Sequence, residues 1–474
     1  MEIEDSPIYK EIREIIDDGP KPVYYQYKAK IHVDDKDFEV IKVISVDMIN
    51  DYLTRVGDMI TISVMLPAGL WAKVIYPKRD KLEMSLLRVP QDEVSDEREE
   101  EKEIEVQRFI AVPNPDTMPV TAGKDIDKLK LRELDKLEVL TIEFQLTDKL
   151  LHQLRLVTVG GIFRRSTPED VIKYILAKET KKIKVEDEIS FKGVDFVEPD
   201  NDEKREHFIV PQGTRIIDLP VYIQRRVGGL YNTGTGCYYC KRHWFIYSLY
   251  DTTRLEKAKK RLTIIKVPTF RTHGMERTYR TEGDTTYIIG TSNSAIGDDA
   301  QNNYTVDGNG TRFSDSRKYV RDFTEVKDNK SVAKRKEANH EFILLDRGKE
   351  KNSVYQSSRK TNSNPFVERS EIAGRGGSIL RIMWENSDPS VLLPGMMCKI
   401  HYLDKDEVQE LHGVLLGAEV AVQLHGQGLT PKRHTTVIAL TIYVNPPRDE
   451  EQNDDSSDED DKKEIKRWTE YEAI

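Results

Sequence analysis

An eight-residue stretch occurs twice in this chain. Residues 30–37 read KIHVDDKD and residues 399–406 read KIHYLDKD, with six of eight positions identical at an offset of 369. Each copy closes one apolar-alternating run, passes through a charged turn and enters another. Tyr25, Tyr27, Ala29, Ile31 and Val33 alternate with polar residues before the first turn, and Phe38, Val40, Val43 and Ile44 follow it. A period of two marks a half-buried strand, so this segment reads as a long β-hairpin. Each copy is later followed by an apolar run that stops at a proline: 59–66 before Pro67, and 437–445 before Pro446. Two ordinary hairpins sharing turn chemistry would explain the eight residues alone. With the flanking pattern included, the expectation is two related small β-barrels, one near each end. A ring of three such chains presents six similar barrels, which converts threefold symmetry to approximate sixfold symmetry, as needed where a trimer meets a hexameric ring.

The 474 residues suggest roughly three domains at about 100–200 residues each. The patterning divides them into an N-terminal helix (1–20), a first barrel (21–112), a mixed α+β middle domain (113–272), a polar insertion (273–377), a second barrel (378–447) and an acidic tail (448–474). The expected class is mainly β with some α. In the N-terminal helix Ser6 can cap, Pro7 suits the first turn, and Ile8, Ile12, Ile15 and Ile16 make one stripe, read as docking on the helix's own barrel or binding a partner. The run from Asp92 to Glu103 reads as a solvated loop or helix end. In the middle, 137–144 reads as a strand. Thr167-Pro168-Glu169-Asp170 opens a helix whose buried face is Val171, Ile172, Ile175 and Leu176. Segments 208–211, 216–223, 238–240, 244–247 and 262–268 carry β signals. The insertion is rich in Ser, Asn, Thr, Gly and Asp, with apolar interruptions at 287–289 and 342–345. Nine of the thirteen residues from Asp449 to Asp461 are acidic, a composition expected to be disordered alone. Trp468, Tyr471 and Ile474 end the tail and are the candidate interface residues.

Several function classes are disfavoured. No run of about 18 apolar residues suggests a transmembrane helix, and the acidic N-terminus lacks the charge and apolar pattern of a secretory signal. Three cysteines point to a reducing compartment rather than a disulfide framework. The net charge of -10 argues against broad attraction to nucleic acid, and the basic clusters at 257–261 and 334–336 read as solvated surface. Cys237-Tyr-Tyr-Cys240-Lys-Arg-His243 has the spacing of a zinc half-site, but no fourth ligand is apparent and a strand would turn the two thiols to opposite faces. Structural cysteines are the reading, with zinc or redox chemistry as alternatives. The glycine runs at 228–236 and 374–377 lack a phosphate-loop lysine and read as turns or tight packing sites. His32 and His401 recur within the repeat, which a shared barrel position explains more simply than catalysis. No catalytic residue, metal ligand or cofactor is expected.

The segment DLPVYIQRRVGGLYNTGTGCYYCKRHWFIYSLYDTTR, followed by LTIIKVP, resembles the central baseplate hub proteins of contractile-tailed bacteriophages. The later SVLLPGMMCKIHYLDKDEVQELHGVLLGAEV looks like the second tube-forming barrel of such hubs. The resemblance covers residues 23–112, 207–268 and 379–446; the polar insertion and the acidic tail do not match it. It implies a non-enzymatic virion protein of the tail baseplate, assembled in the host cytoplasm. This would be a homotrimer whose barrels form a pseudo-hexameric ring continuing the tail tube. Its implied partners are tube or tube-initiator proteins, a central spike protein and other baseplate proteins, with no membrane and no specific nucleic acid. The alternatives are a tail-associated hydrolase with a site in the middle domain, or another baseplate or connector subunit.

Overall fold

The computed structural model describes residues 7–18, 24–34, 36–91, 105–115, 139–183, 185–186, 190–227, 229–268, 275, 277–292, 370, 373–374, 377–404, 407–425 and 433–445. The molecule is mainly β with some α. The run at 92–103, most of the polar insertion with its apolar stretch at 342–345, and the acidic tail lie outside the described residues.

The first group of strands comprises β1 (Tyr24–Val33), β2 (Lys36–Glu39), β3 (Lys42–Asp51), β4 (Met59–Pro67), β5 (Glu83–Gln91), β6 (Glu105–Pro113) and β7 (Val139–Asp148). Six of them pair antiparallel in the order β3-β4-β7-β6-β5-β1, and β2 folds back on β1. Inward positions such as Ile60, Ile62, Val64 and Leu66 are buried while their neighbours are not, which is the period of two read from the sequence. β7 comes from the stretch that the sequence places in the middle domain. Its alternating burial, with Leu140, Ile142, Phe144 and Leu146 inward, seats it between β4 and β6 instead.

The middle of the chain supplies β8 (Thr158–Ser166), β9 (Gly193–Phe196), β10 (Arg205–Arg215), β11 (Thr235–Cys240) and β12 (His243–Ser248), with helices Lys149–Leu154, Pro168–Lys182 and Leu219–Arg226. β8 and β10 form a two-stranded ribbon; β11, β12 and β9 form a three-stranded sheet. Together they enclose a second core containing Phe208, Tyr231, Trp244 and the helix face Val171, Ile172, Ile175 and Leu176. The helix begins as expected, with a capping box between Thr167 and Asp170 and Pro168 in its first turn. The run 216–223 departs from its β-like reading. Ile216, Leu219, Pro220 and Ile223 are buried at helical spacing, and Pro220 fits a first helical turn better than a strand interior.

The last group is β13 (Arg261–Val267), β14 (Tyr279–Glu282), β15 (Thr285–Thr291), β16 (Ser378–Glu385), β17 (Met397–Asp404), β18 (Glu407–His425) and β19 (Arg433–Asn445). Here β13-β17-β18-β19-β16-β15 is a closed circuit, because β15 returns to pair with β13. β13 and β15 come from the stretches read as middle domain and insertion, so the second circuit recruits strands well upstream of residue 378. The Pro7–Asp18 helix lies against this second circuit, not the first. Ile15 is buried among Ile265, Val267 and Ile289, while Ile16 is exposed. Arg280 pairs with Glu14 at 2.9 Å, and Arg277 donates to the Ile16 carbonyl at 3.0 Å.

The two circuits share a wall. Over its first half β18 pairs with β17; from Gly417 to Gln423 it pairs instead with β3. The exchange occurs where the β18–β19 register shifts between Leu415 and Gly417, a bulge that re-aims the strand. β19 likewise pairs with β16 over Val437–Val444 and touches β1 at Tyr25 opposite His434. The opening between β1 and β3 in the first circuit is thereby bridged by the far ends of β18 and β19. One apolar core runs through both circuits, from Ile31 and Ile62 to Ile400 and Ile442.

Candidate assembly site

The repeated residues occupy corresponding places in the two circuits. Ile31 and Ile400 are fully buried, and the flanking lysine and histidine of each copy meet acids on the return strand. In the first copy Lys30 pairs with Glu39 at 3.2 Å, and the His32 Nδ1 meets Asp37 at 2.6 Å. In the second, Lys399 pairs with Glu410 at 2.8 Å, while His401 lies 3.5 Å from Glu410 and 3.3 Å from Glu11 of the N-terminal helix. The hairpins are not in identical register. Val33 faces Lys36 across the first turn, whereas Asp404 faces Glu407 across the second. Relative to the repeated residues the second turn is two positions later, and an even shift keeps every side chain on its face.

Where the circuits meet, His434 closes the seam. Its Nδ1 accepts from the Tyr27 N–H at 3.4 Å, and its Nε2–H donates to the Val43 carbonyl at 3.2 Å, tying β1 to β3 through β19. Burial holds this imidazole below the usual histidine range. A second tie is the pair of Arg88 on β5 with Asp388 after β16, at 2.9 Å and nearly buried. The guanidinium also lies over the Tyr25 ring at 3.5 Å. Burial opposes ionisation of Asp388, but Arg88 and the Ser390 N–H outweigh it and keep the carboxyl below its ordinary range.

The β11–β12 hairpin, from the segment that carries the hub resemblance, wedges against both circuits. Tyr239 N–H donates to the Val56 carbonyl at 2.7 Å, and the Tyr247 hydroxyl donates to the Tyr52 carbonyl at 2.6 Å. The Tyr238 hydroxyl donates to Asp58 at 2.7 Å while its ring meets Tyr52 edge-on. Burial pushes the Asp58 carboxyl up to about 6 against the pull of that hydrogen bond. At the hairpin tip Lys241 donates to the carbonyls of Ser390 (2.6 Å) and Leu392 (3.0 Å) on the second circuit, and Arg242 donates to the Ser190 carbonyl at 2.6 Å. The arrangement holds three bodies in fixed relation.

Cys237 lies in the middle core and Cys240 packs against the core of the circuits, on opposite faces of β11, so the two thiols do not converge on one ion. His243 instead meets Asp195 at 2.8 Å. In the first glycine run a methyl group on Gly236 would overlap the Tyr247 ring; in the second, one on Gly377 would overlap Tyr443. Trp468, Tyr471 and Ile474 lie outside the described residues. Sequence reasoning missed Asp58, Arg88, Asp388 and His434. Arg88 and Asp388 stand 300 positions apart, and no local spacing marks either. No helix among the described residues is long and apolar enough to cross a membrane.

No protein-family model matches the chain, and no curated protein matches it in sequence. Among solved structures, a tail protein from Neisseria meningitidis is similar at 10% identity and a TM-score of 0.41, covering 88% of this chain and 96% of that one. The 43 kDa tail protein of prophage MuSo2 from Shewanella oneidensis is similar at 10% identity and a TM-score of 0.40, again covering 88% and 96%. A component of the Escherichia coli type VI secretion system, described as structurally similar to T4 bacteriophage tail proteins, is similar at 10% identity and a TM-score of 0.38, covering 88% and 77%.

Proposed function

We propose that this chain is a structural subunit of a phage-type tail: a homotrimeric baseplate hub that adapts a hexameric tail tube to a trimeric central spike. The observation that carries the reading is the pair of strand circuits, each containing a Lys-Ile-His hairpin, joined through β18 and β19. Circuits free to swivel would make a poor adaptor, because six evenly spaced elements require a fixed angle between the two in each chain. The shared wall, the Arg88–Asp388 pair and the wedged hairpin supply that rigidity. On this reading the barrels of three chains form the pseudo-sixfold ring, one face meets tube or tube-initiator proteins and the other meets the spike. The middle domain faces other baseplate proteins. The protein resides in the virion tail after assembly in the host cytoplasm.

Native mass spectrometry of assembly intermediates should find a species of three times the 54.8 kDa chain, and a reconstruction should place it on the tail axis. A monomer at every stage of assembly would refute the proposal. Turnover of peptidoglycan or polysaccharide by the purified chain would instead favour the alternative, a tail-associated hydrolase with a site in the middle domain.

A further inference from the structure

The β8–β10 ribbon has two unlike faces. Phe163 and Phe208 sit directly opposite each other. Phe208 is fully buried in the middle core, and Phe163 meets the Tyr174 ring of the Pro168–Lys182 helix. The neighbouring pair, Ile162 opposite Ile209, points the other way and is 66% and 56% exposed. Strand alternation puts Arg164, its cross-strand partner His207, and Arg205 on the isoleucine face. Glu206 alternates to the other face and pairs there with Arg165 at 3.4 Å. Two bare isoleucines are thus framed by two arginines and a histidine, on a chain whose net charge is -10.

Two identical faces of this kind would crowd four arginines into one small contact, so a second ribbon is a poor occupant. The chain carries a better complement. Residues 449–461 include nine acids; Lys462, Lys463, Lys466 and Arg467 come next, and Trp468, Tyr471 and Ile474 follow with Glu470 and Glu472 among them, so 449–474 holds twelve acids against four bases. Twenty-nine residues lie beyond Asn445, enough to reach on the order of 100 Å when extended.

We propose that the segment 449–474 docks on this ribbon face, with Trp468 and Tyr471 covering Ile162 and Ile209, and Glu470 and Glu472 beside them, backed by the acidic run, supplying the negative charge that meets Arg164 and Arg205. Large aromatics are the usual anchors of such contacts, and the surrounding charges steer and orient them. The proposal uses only this chain's ribbon and tail and does not rest on the trimeric reading, so a failed cross-link and a monomeric mass are separate outcomes.

The test places a photo-crosslinking residue in the full chain by Trp468→p-benzoylphenylalanine and maps the products by mass spectrometry. Cross-links should fall within 158–166 and 205–215. Yield should drop about tenfold with Ile162→Asp plus Ile209→Asp, the loss expected for about 1.4 kcal/mol of contact. It should also drop several-fold at about 0.5 M salt, where charge pairs are screened. Both isoleucines are exposed, so the thermal unfolding profile should stay unchanged, and Arg164→Glu serves as an independent variant on the same face. Mixing isotopically labelled and unlabelled chains tells docking within a chain from docking on a neighbour; either supports the proposal. Cross-links confined to another surface, no cross-links, or a yield indifferent to these substitutions would overturn it.

Discussion

Asp58 and His434 are buried ionisable groups that move stability in opposite directions as pH changes. Asp58 has its folded value raised from 3.8 to about 6. Between those values the folded state keeps a proton that the unfolded chain has released. Its contribution is therefore present at low pH, falls as pH rises through the window and is constant above about 6. Asp58→Asn should keep the bond from Tyr238 and remove this cost, raising stability at pH 7.5 by on the order of 2 kcal/mol. Urea unfolding at pH 4.5 and 7.5 measures this, and no gain at the higher pH would show that Asp58 is not buried as charge. For His434 the folded value is depressed below 6.5. Its contribution is complete above the unfolded value and is lost as pH falls from there towards the folded one. His434→Ala should cost about 1–3 kcal/mol at pH 7.5 by leaving the Val43 carbonyl and the Tyr27 N–H unpaired, and should weaken the acid dependence below pH 6.5. Neither residue was legible in the sequence, because a lone aspartate or histidine acquires its role only from what burial removes and which distant groups it meets.

The elements were legible to the extent that their own side chains decide them. The capping box of the Pro168–Lys182 helix and the alternation along β4 are local facts. The run 216–223 was not, because apolar residues of high β-propensity there also satisfy helical spacing, and packing against the middle core chose the helix. The β11–β12 turn is a sharper case. Lys241 and Arg242 both adopt left-handed backbone conformations, φ 49° and 68°, where hairpins prefer Asn-Gly. Each strained residue costs about 1–2 kcal/mol. Their side chains explain the choice, since between them they donate to Ser390, Leu392 and Ser190. Lys241→Asn with Arg242→Gly should ease the turn yet lower the melting temperature, since charged hydrogen bonds of about 1.5–3 kcal/mol each are lost. A variant more stable than the parent would mean that the turn is not a tie between bodies.

At the scale of the whole molecule the circuits cannot come apart without breaking the β18–β19 wall and a continuous core. They should unfold in one transition. Val420 is buried on β18 between Ile438 and Met48. Val420→Asp should raise amide exchange in β4 and β16 alike, and protection retained in either strand alone would show two independent units. Deleting 449–474 should leave that unfolding transition nearly unchanged, since the acidic run has little apolar area to bury and the aromatic end meets only the exposed ribbon isoleucines, outside the circuits. Its loss should appear in incorporation into particles. Full particle yield without the segment would mark it as a solubilising appendage.

The sequence by itself determined the strand-rich class, the two Lys-Ile-His hairpins and the faces that most strands bury, because alternation, capping and turn chemistry act over a few residues. Only the tertiary structure decided that β7, β13 and β15 belong to the circuits, that the N-terminal helix lies on the second one, and that Arg88 meets Asp388. Strand partners are chosen by long-range hydrogen bonding and by the filling of a common core. A strand buried on the same face reads alike in sequence whichever neighbours it joins.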